Sequence, residues 1–314
     1  MDVSIVVVSW NTCGLLRECL RSVCEQTLTG KIEVIVIDNA SDDDSVSMVK
    51  REFPQVVLIE NSENRGYAAG VNQGIAVAKG RYVLVLNSDT IICDNATEKT
   101  MRFADKHPEA AVIGCQVWED SDTIQMTCFR FPSVINLFLS AFGLTKVFKY
   151  NRVLGREWML WWDRKSERQV DVVSGSFMLV RREAIEQVGG MDEDYFLYYE
   201  ETDWCYRFAK AGWEMRFWPG AKIIHCHGGR NSSKQEAAKM FVQMQKSCLI
   251  FFNKHHSIVS YVSARLILTI SLAFRFCLWV TALIVKCLRR DSRNRERKKV
   301  AENWAAFKYC ILGC

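Results

Sequence analysis

The chain has 314 residues, of which 49% are hydrophobic and 25% are charged. Such a chain can bury a substantial core, and its composition excludes a largely disordered protein. Its formal net charge of +5 is concentrated in Lys286–Lys299, which carries +6 and leaves about −1 for the other 300 residues. The charge balance therefore offers no general surface for nucleic acid, and no nucleic-acid partner is expected.

The thirteen cysteines are scattered and show no paired CxxC spacing. This distribution disfavours a zinc site and is typical of reduced thiols in the cytosol. The chain starts without a basic, signal-like region, which favours the same compartment.

Three apolar segments in the first third of the chain each end in polar residues. A strand and loop are predicted over Ser4–Asn11, a second strand over Val34–Ile37 before Asp38, and a third over Tyr82–Leu86 before Asp89. Helical segments are predicted between them, at Gly14–Gln26, Ser45–Glu52 and Tyr67–Ala78. The alternation predicts an α/β fold with a mostly parallel sheet and right-handed crossovers, which binds ligands at the carboxyl ends of its strands.

The middle of the chain, Arg130–Arg168, is rich in aromatic residues and is predicted to be irregular. Two interpretations stay open. The segment could be an insert over the open face of the site that shapes an acceptor groove or touches a bilayer, or it could be a packed surface hairpin or helix.

Acidic residues are concentrated in the run Val172–Gly229, which closes on His225 and His227. Carboxylates are costly to hold among apolar groups unless a cation or a reacting proton requires them. A solvated helix start explains Asp192–Asp194 adequately. It explains Glu200–Asp203 less well, because those acids lie within the aromatic sequence FLYYEETDWCYRF.

The C-terminal region contains the twenty residues Leu266–Val285, in which only Arg275 is charged. This length could span a bilayer. However, Arg265 and Arg275 would each cost about 2.5–3.5 kcal/mol at the midplane, and the basic run that follows prefers the cytoplasmic side. An interfacial helix, or a segment that dips into the bilayer as a hairpin, satisfies both constraints when its tail lies on anionic lipid, while a helix docked on protein is the soluble alternative.

The ordered sequences SIVVVSWN, VIDNASDD, ENRGYAAGVNQG, LNSD, VSGSFMLVRR, GGMDEDYFLYYEETDWCYR and HCHGG carry a family resemblance. The chain resembles family 2 glycosyltransferases of the GT-A fold over roughly Val3 to Gly229, and is most similar to their rhamnosyltransferase-like branch. The resemblance implies a GT-A catalytic domain over residues 1–231 and a C-terminal, membrane-associated helical region over residues 232–314.

The resemblance also implies the contacts of a nucleotide-sugar donor. Asp38 is expected to bind the nucleoside, and the small residues of the N-x-G-x-x-x-G-x-N segment are expected to let the backbone approach the donor. The expected donor-binding residues are Ser9, Trp10, Asn11, Asp38, Asn39, Asn64, Gly66, Asn72, Ser88, Ser174, Gly175 and Arg207. Turn and cap chemistry explains several of these residues equally well.

The family's metal-binding DxD is reduced here to Asn87-Ser88-Asp89. The resemblance therefore implies a Mg²⁺ or Mn²⁺ ion held by Asp89 and His225, with donor phosphates and water completing the ligands. Because one acid is absent, the metal affinity is expected to be weak until the donor binds.

EETD aligns with the family's E-D-x-D segment and supplies the expected catalytic residues, Glu201, Glu200 and Asp203. Glu201 occupies the position of the general base, and Glu200 is the alternative. Arg207 either reaches the diphosphate or forms an ordinary helical ion pair with Asp203.

The expected activity is therefore inverting, metal-dependent hexosyl transfer, with rhamnose as the family-level sugar, in the synthesis of bacterial surface polysaccharide. The donor is a dTDP-, UDP- or GDP-sugar, the acceptor is a glycan or a lipid-linked glycan, and the location is the cytoplasmic face of the membrane. Two other classes stay open: a non-catalytic sugar-nucleotide-binding membrane scaffold and a nucleotidyltransferase. The absence of a glycine-rich basic loop after the first strand disfavours the second.

Overall fold

The computed structural model describes residues 1–26, 30–119, 123–148, 150–226, 237–288 and 294–312. The chain forms two compact units. The sheet unit comprises Met1–Phe131, Trp158–Phe196 and Glu200–Ser232, and the helical unit comprises Pro132–Glu157, Leu197–Tyr199 and Ser233–Cys314. The predicted boundary at residues 231–232 and the side chain of His227 lie outside the described residues.

The strands are β1 (Val3–Ser9), β2 (Ile32–Asp38), β3 (Val57–Glu60), β4 (Tyr82–Asn87), β5 (Thr90–Cys93), β6 (Ala110–Trp118), β7 (Cys128–Phe129), β8 (Arg168–Val170), β9 (Val172–Val173), β10 (Phe177–Arg181) and β11 (Glu214–His225). The helices are α1 (Cys13–Cys24), α2 (Ser45–Glu52), α3 (Tyr67–Val77), α4 (Ala96–Asp105), α5 (Val134–Ala141), α6 (Leu144–Val147), α7 (Arg182–Val188), α8 (Glu200–Lys210), α9 (Ala237–His255), α10 (Ile258–Leu288) and α11 (Asn294–Leu312).

The main sheet of the sheet unit has the order β3-β2-β1-β4-β10-β6-β11-β5, and β8 pairs with β11. β1 is parallel to β2 and β4, whereas β10 is antiparallel to both β4 and β6. Among the described strands, β5, β8 and β10 run opposite to the other strands of this sheet. The predicted α/β class is confirmed, but the sheet is mixed because β10 inserts between two parallel-running strands.

Helices cover both faces of the sheet because alternate strand residues point to opposite sides. In β1, Val3, Ile5 and Val7 join a core with α1, α2 and α4. Val6 and Val8 join a second core with α3, α7 and α8. The strands are therefore buried on both sides, which explains their continuous apolar sequences.

The helical unit contains α5, α6 and α9–α11 around its own apolar core. The predicted irregular segment Arg130–Arg168 thus contains an ordered helix, α5, whose first turn is capped by the Ser133 hydroxyl accepting the Asn136 N–H. Val134 and Leu137 of this helix pack against the apolar core of the helical unit. By length and composition, α10 could cross a membrane.

Candidate active site

The strand register brings the predicted polar residues to one edge of the sheet. Ser9 lies opposite Asp38, and Val8 lies opposite Asn87. The hydroxyl of Thr12 then lies 3.0 Å from the Ser9 hydroxyl and 3.0 Å from the Ser88 hydroxyl. Buried hydroxyl groups thereby join the ends of β1 and β4. Ser9 and Ser88 both form hydrogen bonds in this network.

Asp38 is buried at the end of β2, with 2% of its surface exposed. Its Oδ1 accepts the Ser41 N–H at 2.8 Å, while its Oδ2 is buried and makes no hydrogen bond within the protein. A buried carboxylate oxygen without a donor is costly, and a ligand hydroxyl or amide would satisfy it.

The loops after β1 and β2 are joined to each other. The Asn11 N–H donates to the Ser41 hydroxyl at 2.9 Å, and Asn11 Oδ1 accepts the Asp42 N–H at 2.7 Å. Asn11 adopts a φ of 53°, a left-handed conformation that asparagine tolerates. Trp10 stands partly exposed beside it. These contacts shape this side of the site. The N–H and the Oδ1 of Asn11 are both used in hydrogen bonds between the two loops.

Asn64, Gly66 and Asn72 mainly make contacts within the protein. Gly66 has a φ of +88°, and a Cβ there would meet the Phe196 carbonyl at 2.5 Å. Asn64 Oδ1 accepts the Gly66 N–H at 3.0 Å, and the Gly66 carbonyl accepts from Asn39 Nδ2 at 2.9 Å. The group that closely approaches Gly66 is therefore the Phe196 backbone, whereas the resemblance implied that the small residues of this segment let the protein backbone approach the donor.

Asn72 fastens α3 to the loop before α8. Its Nδ2 donates to the Met191 carbonyl at 2.8 Å and to Glu193 Oε1 at 2.9 Å, and its Oδ1 accepts the Met191 N–H at 2.8 Å. The structure does not bring Asn72 to the edge where Asp38 and Asp89 lie.

Asp89 and His225 form a buried pair. His225 Nε2 lies 3.0 Å from Asp89 Oδ1, and His225 Nδ1 lies 2.9 Å from Gln125 Oε1. Gln125 Nε2 donates to the His225 carbonyl at 3.4 Å, which directs the amide oxygen toward Nδ1. In this orientation the amide oxygen of Gln125 faces Nδ1, and Nε2 faces a carboxylate oxygen. That contact is favourable only with a proton or a metal ion between the two atoms.

Glu200 and Glu201 begin α8, where the helix dipole favours acids. Glu200 is buried, and Oε2 of each residue is buried without a hydrogen-bond partner. Burial, followed by the charge of Glu201, raises the pKa of Glu200 well above its ordinary value, and burial also raises the pKa of Glu201. Carboxyl groups with raised pKa values suit proton transfer near neutral pH.

Tyr67 is a site residue that the sequence patterns did not identify. Its hydroxyl donates to Asn87 Oδ1 at 3.0 Å and lies 3.3 Å from the Gly175 carbonyl. Burial, and then the charges of Glu200, Glu201 and Asp89, raise the pKa of Tyr67 well above its ordinary value. The hydroxyl therefore stays neutral, and it lies close enough to Glu200, Glu201 and Asp89 to interact with their charges.

The segment Ser174–Ser176 packs beside Tyr67. A Cβ at Gly175 would lie 3.4 Å from the Tyr67 hydroxyl oxygen. The Ser174 N–H donates to the Thr127 carbonyl at 2.8 Å, and the Ser174 hydroxyl accepts the Ser176 N–H at 3.4 Å. Ser174 and Gly175 thus support Tyr67. The sequence signal for Ser174 and Gly175 was the small, polar run Ser174-Gly175-Ser176 directly after an apolar strand.

Asp203 and Arg207 form an ion pair at 2.7 Å, with the Asp203 side chain only 1% exposed. Arg207 also donates to the Val188 carbonyl at 3.2 Å and the Gly190 carbonyl at 2.7 Å. The guanidinium therefore closes the C-terminus of α7 and joins it to α8. This arrangement favours the ordinary ion-pair interpretation of both residues.

We expect Arg207→Met to destabilise the protein by about 3–5 kcal/mol, because removing one partner leaves a buried carboxylate without its cation. Thermal unfolding measures the effect. The matched control is Arg21→Met, which removes an exposed i,i+3 pair with Glu18 at 2.9 Å and should cost less than about 0.5 kcal/mol. An increase in donor KM in the folded Arg207→Met protein would instead assign the diphosphate-binding role to Arg207.

The raised pKa values predict opposite effects of pH on activity and stability. A general base must be deprotonated to act, so kcat should fall as the pH decreases. The midpoint of this fall should lie above the ordinary glutamate pKa of 4.5. The folded state holds these protons more tightly than the unfolded state, so their stabilising contribution is lost as pH rises through the folded pKa values. The Tm of Glu200→Gln minus that of the wild type should therefore increase as pH rises from 4.5. A difference independent of pH would contradict the raised pKa.

The fold is similar to those of solved glycosyltransferases. A mannosyltransferase from Pyrobaculum calidifontis, solved in complex with GDP-Man and Mn²⁺, matches with a TM-score of 0.56 and 17% identity, over 99% of this chain and 87% of that one. Staphylococcus aureus TarS (residues 1–349) matches with a TM-score of 0.51 and 13% identity, over 100% and 92%. The chain has the mixed α/β architecture of the GT-A fold, as predicted.

The family model for glycosyl transferase family 2 matches residues 4–189, more than half of the chain. The chain belongs to glycosyl transferase family 2. It is 29% identical over 315 aligned positions to N-acetylglucosaminyl-diphospho-decaprenol L-rhamnosyltransferase of Mycobacterium tuberculosis, covering 94% of this chain and 97% of the relative. It is 28% identical over 172 positions to rhamnosyltransferase WbbL of Escherichia coli, covering 51% and 61%. The predicted rhamnosyltransferase-like resemblance is confirmed, and family membership removes the nucleotidyltransferase alternative.

Proposed function

We propose that the protein is an inverting glycosyltransferase that moves a sugar, with rhamnose as the first candidate, from a nucleotide-diphosphate donor to a lipid-linked glycan. The observation that carries the proposal is the pairing of two acidic centres in the sheet unit. Asp89 faces His225 at 3.0 Å, and Oε2 of both Glu200 and Glu201 is buried without a hydrogen-bond partner. Tyr67 lies near both centres: its hydroxyl donates to Asn87 Oδ1 at 3.0 Å, and burial and the charges of Glu200, Glu201 and Asp89 raise its pKa.

Asp89 and His225 fit a divalent metal. Their facing atoms are 3.0 Å apart, close to the roughly 2.9 Å between adjacent ligands of an octahedral ion with bonds of about 2.05 Å. Within the described ranges, no group of three or more His, Cys, Asp and Glu residues gathers, so donor phosphates and water would supply the remaining ligands. Bound Mg²⁺ or Mn²⁺ would neutralise the diphosphate charge. The metal-bearing mannosyltransferase neighbour supports this choice.

The protein groups around the metal pair prepare the donor end of the site. Asp38 Oδ2, buried and without a partner, is placed to accept a hydrogen bond from the nucleoside. Tyr67 holds the Asn87 side chain beside Asp89 through its hydroxyl at 3.0 Å. Gln125 holds the His225 ring through Nδ1. These contacts orient the ligands before the donor arrives.

Glu201 acts as the base, with Glu200 as the alternative. The acceptor hydroxyl oxygen forms a bond to the anomeric carbon, and the bond from that carbon to the diphosphate oxygen breaks. The leaving nucleoside diphosphate takes the electron pair, and the carboxylate takes the hydroxyl proton. One displacement inverts the anomeric centre and requires no covalent intermediate. The buried, unpartnered Oε2 of Glu201 supports its availability for this proton.

The relatives support the acceptor class. The Mycobacterium tuberculosis relative is named for a diphospho-decaprenol glycan acceptor and for L-rhamnose. The apolar helix α10 suits an enzyme whose acceptor resides in a membrane. We therefore place the protein at the cytoplasmic face of the membrane, in the synthesis of surface polysaccharide.

The test is a panel of dTDP-rhamnose and UDP- and GDP-sugars, assayed for donor hydrolysis and for transfer to a polyprenyl-diphosphate N-acetylglucosamine analogue, with Mn²⁺, Mg²⁺ or EDTA. We expect metal-dependent transfer from one donor and an inverted anomeric product by NMR. Donor binding without hydrolysis or transfer under all conditions would favour the non-catalytic scaffold instead.

A further inference from the structure

Helix α10 exposes an apolar stripe along one side. Its large exposed side chains recur every three or four residues from Val259 to Leu278, and Val285 follows two turns later. Their exposed fractions range from 41% to 71%: Val259, Val262, Leu266, Ile270, Phe274, Leu278 and Val285. At about 1.5 Å per residue this stripe is about 40 Å long. An exposed apolar surface of this length marks an interaction site.

The opposite side of α10 is buried in the helical unit, where Ala264, Leu268 and Leu272 join the core. There α10 pairs antiparallel with α11 over the full length of α11. At one end, Arg265 donates to the Cys310 and Ile311 carbonyls at 2.6 and 2.9 Å. At the other end, Lys286 pairs with Glu296 at 3.0 Å.

This pairing determines how α10 meets a bilayer. If α10 crossed the membrane, α11 would lie at the same depth, and it carries the exposed cations Arg295, Arg297, Lys298 and Lys308. Each cation costs about 2.5–3.5 kcal/mol at the midplane. Arg265 and Arg275 are the two charges that made a span unattractive from sequence. Both are partly buried, and both donate to carbonyls at helix C-termini. A helix lying in the plane of one leaflet avoids these costs.

Helix α5 extends the same apolar surface. Ile135, Phe138 and Phe142 lie on one side of α5 and are 60%, 45% and 38% exposed. Arg275 Nη2 donates to the Ala141 carbonyl at 2.6 Å. The exposed Phe274 and Phe142 are the chain neighbours of these two residues, so each helix carries an exposed aromatic residue next to this hydrogen bond in sequence. We name Ile135, Phe138, Phe142, Leu266, Ile270, Phe274 and Leu278 the leaflet face.

The basic residues that follow α5 and α10 in the sequence suit an anionic lipid surface. Lys146 and Arg152 follow α5, and the Lys286–Lys299 run follows the stripe with a formal charge of +6. Each basic residue near such a surface contributes about 1 kcal/mol of attraction.

We propose that the leaflet face inserts into a single leaflet containing anionic lipid, with α10 parallel to the membrane plane and α5 as a second inserted element. The proposal rests on the proposed function, since a lipid-linked acceptor would be presented in that leaflet. The catalytic chemistry can still hold if the proposal fails, because donor hydrolysis is measured separately from membrane binding.

The first experiment measures cosedimentation of the full-length protein with phosphatidylcholine vesicles, with and without phosphatidylglycerol. The variants are Phe138→Asp with Phe142→Asp in α5, and Ile270→Asp with Phe274→Asp in α10. We expect each pair to weaken binding to anionic vesicles tenfold or more while donor hydrolysis and Tm stay unchanged. The matched control is Val57→Asp with Val77→Asp, which places the same charges on residues of the sheet unit that are 46% and 42% exposed. If the α5 double variant binds anionic vesicles as tightly as the wild type, α5 does not belong to the leaflet face. If both double variants bind as tightly as the wild type, the proposal of a leaflet face is wrong.

The second experiment tests the orientation. The experiment uses the Cys277→Ser Cys314→Ser variant, because Cys277 is a third exposed thiol and Cys314 is the last residue of the sequence. Its exposed Cys24 and Cys287 are labelled with an impermeant maleimide after reconstitution into sealed phosphatidylcholine–phosphatidylglycerol vesicles, and intact mass separates singly from doubly labelled molecules. An in-plane α10 places both thiols on one side of the membrane, so the same molecules should carry label at both positions. Label at one position or the other, never both, would show that α10 spans and would overturn the proposal. Both thiols label in detergent, which provides the control.

Discussion

Replacing Asp89 by alanine is expected to abolish sugar transfer while the fold is retained. The carboxylate is buried at the end of β4 and faces His225 Nε2 at 3.0 Å, so its loss removes one of the two protein ligands of the proposed metal. The Asp89 carbonyl accepts the Cys226 N–H at 2.8 Å through the backbone, and this contact survives the substitution. Transfer and donor hydrolysis at saturating Mg²⁺ and Mn²⁺ measure the effect.

The isosteric Asp89→Asn separates charge from shape and should be almost as inactive. Its matched control is Asp94→Asn, a carboxylate-to-amide change at an exposed residue of the next turn. Tm and the metal dependence of donor binding give readouts beside turnover. Near-normal turnover of Asp89→Ala at saturating metal would show that the metal assignment is wrong.

Glu201→Gln is expected to lower kcat by about 10²-fold or more, since general-base catalysis contributes about 10²–10⁴-fold. The amide keeps the shape of the side chain but cannot accept the acceptor proton, so donor KM should change little. The substitution should also raise Tm at neutral pH, because it removes a carboxylate whose Oε2 is buried without a partner. For domains of about 150–250 residues, each kcal/mol added to the free energy of unfolding raises Tm by about 2–4 °C.

Glu200→Gln distinguishes the two acids. It should raise Tm as well, while kcat falls less than in Glu201→Gln. The exposed Glu186→Gln in α7 is the control for the same chemical change on a surface. If Glu200→Gln alone loses turnover, the base is Glu200, and the alignment with the family's acidic segment moves by one residue.

The contrast between Glu200–Glu201 and Asp203–Arg207 separates two kinds of acid within one short sequence. Asp203 has its cation at 2.7 Å, whereas Oε2 of both glutamates lacks a hydrogen-bond partner. A buried acid with a cation contributes to the structure, and a buried acid without one keeps its capacity for a proton. Sequence spacing cannot distinguish the two, because both kinds lie on the same helix.

Much of the site could be predicted from the sequence alone. The continuous apolar runs predicted β1, β2 and β4 to within two or three residues, because strands buried on both faces have no polar alternation. Since parallel strands end at the same edge of a sheet, the polar residues Ser9, Asp38 and Asp89 could be assigned to one edge. The ordered motifs identified the family, which the family model confirms.

Other features depended on contacts between residues far apart in the chain. Tyr67 meets Gly175 across 108 positions, and Gln125 meets His225 across 100. Local patterns carry no record of such partners, because periodicity reflects only which side of a strand or helix is buried. For the same reason the sequence left the surroundings of Gly66 and Asn72 open.

The amino-acid sequence by itself determined the fold class, which follows from local burial and spacing, and the family, which follows from the resemblance of its ordered motifs to those of family 2 glycosyltransferases. Only the tertiary structure decided which acids are paired, which nitrogen of His225 faces Asp89 and how α10 is held. Arg265 and Arg275 are charges in an apolar segment when read along the chain. In the folded helical unit they bind the carbonyl ends of α11 and α5, because the free energy of a buried charge depends on the groups that surround it in space.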